Sequence, residues 1–226
     1  MLRLSSVKPS EIVETRSASA TVADALRKGV LLGTLPGGER VRQDAIATRF
    51  GVSQMIVREA FRQLVTEGLL KAEPRRGVSV AALSADEARE MTELRSLIEA
   101  KALEWAIPQM SKADLEGAAR IVAELDKAKS IDRIISLNAR FHEALYAPAR
   151  KERTLAMIAT LRMNFERYLR FTWEETHHLD QSQKEHRQIL EFCVARDSER
   201  ACALLKRHIL ATGALLVARL QSRQAG

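Results

Sequence analysis

Asn138 and His142 stand four residues apart in the segment LNARFHEAL, and two further histidines follow, His186 in KEHRQIL and His208 in LKRHIL. Four residues is just over one helical turn, so Asn138 and His142 project from the same face of a helix. With His186 and His208 on separate later helices, three imidazoles and one amide oxygen could converge inside a bundle. Those are donors that a divalent metal accepts, and bundles build such sites from facing helices. The same residues also suit a plainer role as surface or hydrogen-bonded core histidines, and spacing alone leaves both readings open. A second cluster, Glu174-Glu175-Thr176-His177-His178, has the Glu-x-x-His spacing of di-iron bundles. Such a centre needs two of these motifs plus further inward carboxylates. Only one is present, beside the polar run Thr176 to Gln181 that breaks the helical pattern, so a solvated loop is expected there. Phe171 and Trp173 beside it are read as packing for the core or a dimer seam. No Ser/His/Asp elbow, Walker lysine or GxGxxG occurs.

A different chemistry is written between Val41 and Val80. The spacing predicts a short helix from Gln43 to Phe50, a turn at Gly51 with positive φ, and a second helix capped by Ser53. Val52 can pack under that turn. In the second helix Val57, Ala60, Phe61 and Leu64 recur at i, i+3, i+4, i+7 and face inward. Gln54, Arg58 and Arg62 fall on the opposite side. After Gly68, Leu69 and Leu70 begin a hairpin that turns through Pro74-Arg75-Arg76-Gly77 and returns along Val78-Ser79-Val80. Helix, turn, basic helix and basic-tipped hairpin in that order describe a unit that reads double-stranded DNA. Ser53, Gln54, Arg58 and Arg62 are placed to touch it, with Arg75, Arg76 and Gly77 on the wing.

The elements that must position these groups are legible as well. From Ser84 onward glycine is nearly absent and no alternating strand pattern appears. Ser84–Glu87, Ser111–Asp114 and Ser182–Glu185 fit the capping box that opens a helix. Helices are expected over about 85–107, 112–128, 131–147, 151–175, 183–195 and 198–222, with breaks at Pro108 and Pro148. The fold class is mainly α: an N-terminal winged helix-turn-helix, then an antiparallel all-helical bundle of about six helices. Residues 1–16 are expected as a mobile arm, 17–83 as the DNA-binding domain and 84–226 as an effector-binding domain. The chain of 226 residues carries a net charge of +7. Residues 1–83 hold 13 Lys+Arg against 8 Asp+Glu, and the rest hold 23 against 21. The basic excess thus sits on the segment that would neutralise phosphates. Cys193 and Cys202 are too few for a disulfide scaffold and read as core thiols of a cytoplasmic protein. No signal peptide or transmembrane run is expected, hence no membrane partner.

Residues from about Thr21 to Leu83 resemble the winged helix-turn-helix of the GntR family of bacterial transcription regulators. The matching segments are Leu31–Gly37, Phe50–Ser53, Val57–Ala60, Glu67–Leu70 and Arg75–Gly77. The family usually has arginine where Gln54 stands and Thr-Pro where Met55-Ile56 stand. Both departures lie at the reading end of the helix, which implies a different operator. From about Ala85 to Leu220 the chain is similar to the FCD ligand-binding domain that accompanies many such regulators. Leu94-Arg95 with Glu99 matches the signature of that domain's first helix. Asn138, His142, His186 and His208 match its metal-binding branch, with Asn138 where Asp is common.

The resemblance implies a divalent metal, such as Zn, Ni, Mn or Fe, held by these four residues. Three imidazoles and one neutral oxygen leave open positions and an uncompensated charge. A small carboxylate effector is the natural partner. Arg95 could grip its other end in two places, although an ion pair with Glu99 would account for Arg95 equally well. Arg140, Arg162 and Arg167 compete for that role. A homodimer on a two-fold symmetric operator is expected, since one reading head spans too few base pairs. The expected function is a ligand-responsive transcription regulator, a repressor, rather than an enzyme. An all-helical metalloenzyme with an N-terminal interaction module is the alternative.

Overall fold

The computed structural model describes the backbone of residues 9–75, 77–173 and 178–224. The chain divides after Ala82 into two compact units.

In the first unit, helix α1 (Pro9–Leu31) sets Val22, Ala23, Leu26 and Val30 into the core. Pro9 suits a first turn, where its missing N–H is not needed. Helical backbone therefore takes in the second part of the segment expected as an arm over 1–16. Strand β1 (Arg40–Val41) follows, then α2 (Gln43–Phe50), α3 (Gln54–Thr66), β2 (Leu70–Glu73) and β3 (Gly77–Val80). Gly51 ends α2 in the left-handed region at φ 64°, and Val52 N–H then reaches back to the Ala47 carbonyl at 3.1 Å. Ser53 Oγ caps α3 by accepting from Ile56 N–H at 3.4 Å. The inward stripe of α3 is buried at all four positions, Val57, Ala60, Phe61 and Leu64. Arg27 of α1 clasps Glu67 at the end of α3 through two bonds of 2.8 and 2.7 Å. The wing is a three-stranded antiparallel sheet of order β1-β3-β2, not the two-stranded hairpin expected. Arg40 and Val41 pair with Ser79 and Val78, and two residues are too few to show a period in sequence.

The second unit is a bundle of six helices among the described residues: α4 (Ala85–Ala106), α5 (Lys112–Leu125), α6 (Ile131–Tyr146), α7 (Glu152–Trp173), α8 (His178–Val194) and α9 (Ser198–Gln224). Capping boxes open α4 at Ser84/Glu87 and α5 at Ser111/Asp114. Pro108 and Pro148 sit in 3-10 turns that end α4 and α6. The third expected capping box is overturned. Helix α8 already runs from His178, and Ser182 lies buried inside it. Glu185 is turned inward to His208 at 2.8 Å, so a tertiary contact takes the carboxylate that a cap would have used. Leu103, Ile107, Leu137, Phe141, Leu145, Tyr146, Phe165, Ile189, Leu205 and Ile209 form the core.

Helix α9 is long and apolar enough over Ser198–Ser222 to cross a membrane by length and composition, which the sequence reading did not anticipate. It packs instead on α4 and α8, with Ala201, Leu204, Leu205, Ile209 and Leu216 buried. Gly213 lets α9 approach α4 closely, because a Cβ there would lie 2.1 Å from Thr92 Cγ2. Both cysteines are free thiols. Burial pushes Cys193 up to about 12 and Cys202 up to about 11, leaving both unreactive at neutral pH.

Candidate DNA-reading face and metal centre

The candidate reading face is built by α3 and the β-sheet hairpin of β2 and β3. Ser53, Gln54, Arg58 and Arg62 are all exposed, on the side opposite Phe61 and Leu64. Gln43 Nε2 at the start of α2 donates to the Gln54 carbonyl at 2.9 Å, which fixes the two helices at their corner. Arg58 rests against the Met55 sulfur, and Arg62 lies 3.5 Å from Glu59. Both contacts are at the surface, where they hold a guanidinium only weakly and leave it able to turn to a base or phosphate. Arg75 is exposed at the wing tip in the left-handed region at φ 63°, followed by Gly77 at φ 87°. Arg76 lies outside the described residues.

The second unit brings three of the other predicted residues together, His142, His186 and His208. Helix α6 supplies Asn138 and His142, α8 supplies His186 and α9 supplies His208, and all four side chains are buried. One nitrogen from each histidine falls within 4.8 Å of the others. The ring centroids are 4.8 to 5.5 Å apart. Each Nδ1 faces a neighbour: His142 the Tyr146 hydroxyl at 3.0 Å, His186 the Gln183 Oε1 at 3.3 Å and His208 the Glu185 Oε2 at 2.8 Å. An imidazole whose Nδ1 is so engaged presents Nε2 to the centre, the arrangement that orients metal-bound histidines. His186 Nε2 in this cluster is buried without a hydrogen-bond partner, and so is Oδ1 of Asn138, which precedes His142 by four residues on α6. Leaving such atoms unsatisfied costs about 1–3 kcal/mol each. A cation held among the three imidazoles would satisfy the His186 lone pair, so the histidine donors fit a metal.

Electrostatics favour the same use. Burial, with the positive charge of Arg162 and the neighbouring imidazoles, holds His142 well below its ordinary value. Burial, His208 and Arg162 do the same to His186. Both rings are therefore neutral at pH 7 with a lone pair available. Behind His142, the Tyr146 hydroxyl donates to Glu99 Oε2 at 2.8 Å. Glu99 is fully buried between Arg95 (Nε to Oε1, 2.6 Å) and Arg162 (Nη1 to Oε2, 3.2 Å). Burial opposes ionisation of Glu99, but the two guanidinium charges more than offset it and keep the carboxyl below its ordinary value.

Arg95 thus forms the ion pair with Glu99 that was one of its two expected roles, and its guanidinium also lies 4.5 Å from the centre of the Phe165 ring. Of its competitors, Arg162 is buried beside it. Arg140 is half exposed, with Glu124 as its ionic neighbour, and the side chain of Arg167 lies outside the described residues. The side chains of Phe171, Trp173, Glu174, Glu175, His177 and His178 also fall outside them. Sequence reasoning missed Tyr146, Gln183 and Glu185 as supports of the histidines. The signal was there, since Tyr146 follows His142 by four and Gln183 precedes His186 by three, on shared helix faces.

Comparison with known proteins gives two family matches. Residues 18–80 match the model described as bacterial regulatory proteins, gntR family. Residues 90–211 match the FCD domain. The HTH-type transcriptional regulator YdhC of Bacillus subtilis (strain 168) is 33% identical over 192 residues, covering 82% of this chain and 83% of that protein. The HTH-type transcriptional repressor GlaR of Escherichia coli (strain K12) is 25% identical over 197 residues, covering 82% and 89%. A crystal structure of a GntR family transcriptional regulator from Pseudomonas syringae pv. tomato str. DC3000 has 33% identity and a TM-score of 0.57, covering 92% of this chain and 89% of that one.

Proposed function

The chain belongs to the GntR family of bacterial transcription regulators, with an FCD domain as its second unit, and from that premise we propose a metal-dependent repressor released by a small carboxylate. Its relatives are DNA-binding regulators and not enzymes, which removes the metalloenzyme alternative. The repressor sense follows the name of one relative. A cytoplasmic location accords with a regulator that meets DNA.

The observation that carries the metal reading is the buried three-histidine cluster, in which His186 Nε2 is left without a hydrogen-bond partner. Asn138, His142, His186 and His208 would hold one divalent ion, of the Zn, Ni, Mn or Fe type. Bound there, it supplies positive charge and open positions that draw an anionic oxygen. The chain's own groups do the rest. Glu185, Gln183 and Tyr146 keep the rings turned inward. Arg95, whose charge already acts on His142, takes the effector's far end. Arg95 and Glu99 ride on α4, which follows the wing strand β3 after only residues 81–84. An effector that favours one setting of α4 over another can thereby alter DNA binding.

On the DNA side, Arg58 contacts a guanine edge or phosphate, with Ser53, Gln54 and Arg62 beside it. Gln54 suits an adenine edge, where arginine would prefer guanine. Arg75, Arg76 and Gly77 add wing contacts. Two copies read a two-fold symmetric operator as a homodimer.

Two measurements test the two halves. Elemental analysis of purified protein should find near-stoichiometric metal, lost in His142→Ala and His208→Ala; a metal-free wild type with intact fold would overturn the metal half. Arg58→Ala should weaken operator binding by about 1–3 kcal/mol, and unchanged affinity would overturn the DNA half.

A further inference from the structure

Met55 is 65% exposed, and no large apolar side chain among the described residues is more so. A single exposed apolar residue is ordinary, but this one stands among polar groups at a telling place. It lies in the first turn of α3, two residues before the buried Val57. At about 100° per residue it points almost straight away from the inward stripe of Val57, Ala60, Phe61 and Leu64. Arg58, Glu59 and Arg62 surround it on the outer surface, all exposed. Arg58 Nη2 rests on the Met55 sulfur, and Arg62 and Glu59 pair with each other at 3.5 Å. So exposed a side chain adds little to the packing of its own unit.

We propose that Met55 reads thymine, by laying its thioether chain against the C5-methyl group in the major groove. The proposal rests on the reading of α3 as the helix that enters the groove. It adds a specificity-determining residue that the charged and hydrogen-bonding set leaves out. The occupant follows from the chemistry of the groove. The first residues of such a helix meet the base edges. Those edges carry donors and acceptors, and the thymine methyl is the one apolar group among them. Pressed on a polar edge, Met55 would strip water from groups that it cannot bond, which is unfavourable. Against the methyl, two apolar surfaces leave water together. Methionine suits such a target because its unbranched, polarizable chain adapts to irregular apolar shapes. The spacing to Arg58 also says where the thymine lies. Three residues advance about 4.5 Å along a helix, and stacked bases are about 3.4 Å apart. The thymine therefore belongs to the base pair next to the one that Arg58 touches.

Fluorescence anisotropy of the full-length protein tests this, with an operator fragment that the wild type selects from random DNA. Deoxyuridine, which lacks only the C5-methyl, replaces one thymine at a time within one half-site. At one thymine the wild type should bind the deoxyuridine fragment about fourfold more weakly, the loss expected for one buried methyl. Met55→Ala and Met55→Gln should bind the two fragments equally, whereas Met55→Leu, which keeps an apolar chain, should keep the preference. Comparing variants on both fragments cancels any effect of deoxyuridine on the DNA itself. Arg58→Ala should weaken binding to both fragments and keep the preference between them, which separates a methyl contact from a general loss of docking. Wild type indifferent to deoxyuridine at every thymine would overturn the assignment while leaving the reading of DNA by α3 intact. So would a Met55→Ala protein that keeps the full preference. A wild type that selects no sequence from random DNA would overturn both.

Discussion

Tyr146 has one proton and two hydrogen-bonding neighbours, and this settles the tautomer of His142. Glu99 is kept ionised by Arg95 and Arg162, so its carboxylate can only accept. The tyrosine proton is committed to Glu99 at 2.8 Å, and burial with the Glu99 charge raises the phenol well above its ordinary value, so that proton stays. The contact of 3.0 Å with His142 must then run the other way, from Nδ1–H to the phenol oxygen. Nε2 is left as the lone pair facing the cluster. Tyr146→Phe removes that constraint and should lower metal affinity about 10–100-fold, read by competition with a chelating dye, with DNA affinity unchanged. Wild-type metal affinity in the variant would contradict this account of His142. The meeting of the three histidines was only partly legible in sequence: Asn138 and His142 share a helix face by spacing, but nothing local ties His186 and His208 to them. Glu185 was read as a capping residue because its neighbourhood, Ser182-Gln-Lys-Glu185, has that local pattern. Only the tertiary contact with His208 reveals its other use.

Among the elements, the helices of the bundle lie close to where caps and prolines set them, α2 begins and ends at the residues expected, and α3 starts directly after its Ser53 cap. What escaped the sequence were features without a period: the two-residue strand β1, the start of α1 within the expected arm, and the entry of α8 at His178. Gly213 belongs here too. A glycine inside a helix of 27 residues is unfavourable by about 1 kcal/mol relative to alanine, and the packing of α9 on α4 supplies its reason. Gly213→Ala gains that propensity but drives a methyl to 2.1 Å from Thr92 Cγ2 and 2.3 Å from Thr92 Oγ1. Thr92 is itself buried and bonded to the Ala88 carbonyl, so it has little room to turn. Overpacking of this kind costs about 1–3 kcal/mol, and the clash should win. The urea midpoint of Gly213→Ala should fall, and Thr92→Ala added to it should recover part of the loss. A more stable Gly213→Ala would show that the helices separate without cost.

For the whole molecule, charge and chemistry divide along the chain. The basic excess lies in residues 1–83, while the buried histidines and the Glu99 network belong to the second unit. Helix α4 links them in sequence: it carries Arg95 and Glu99 inward and follows β3 after only residues 81–84. The central claim is that a carboxylate acts on DNA binding through the metal site. The measurement is fluorescence anisotropy of an operator fragment selected from random DNA. It is titrated with the small organic acid that most raises the melting temperature of the metal-loaded protein. That acid should release wild-type protein from DNA only when metal is present, and His142→Ala and His208→Ala should bind the fragment yet ignore the acid. A chelator-stripped wild type that still releases DNA fully in response to the acid would contradict the account.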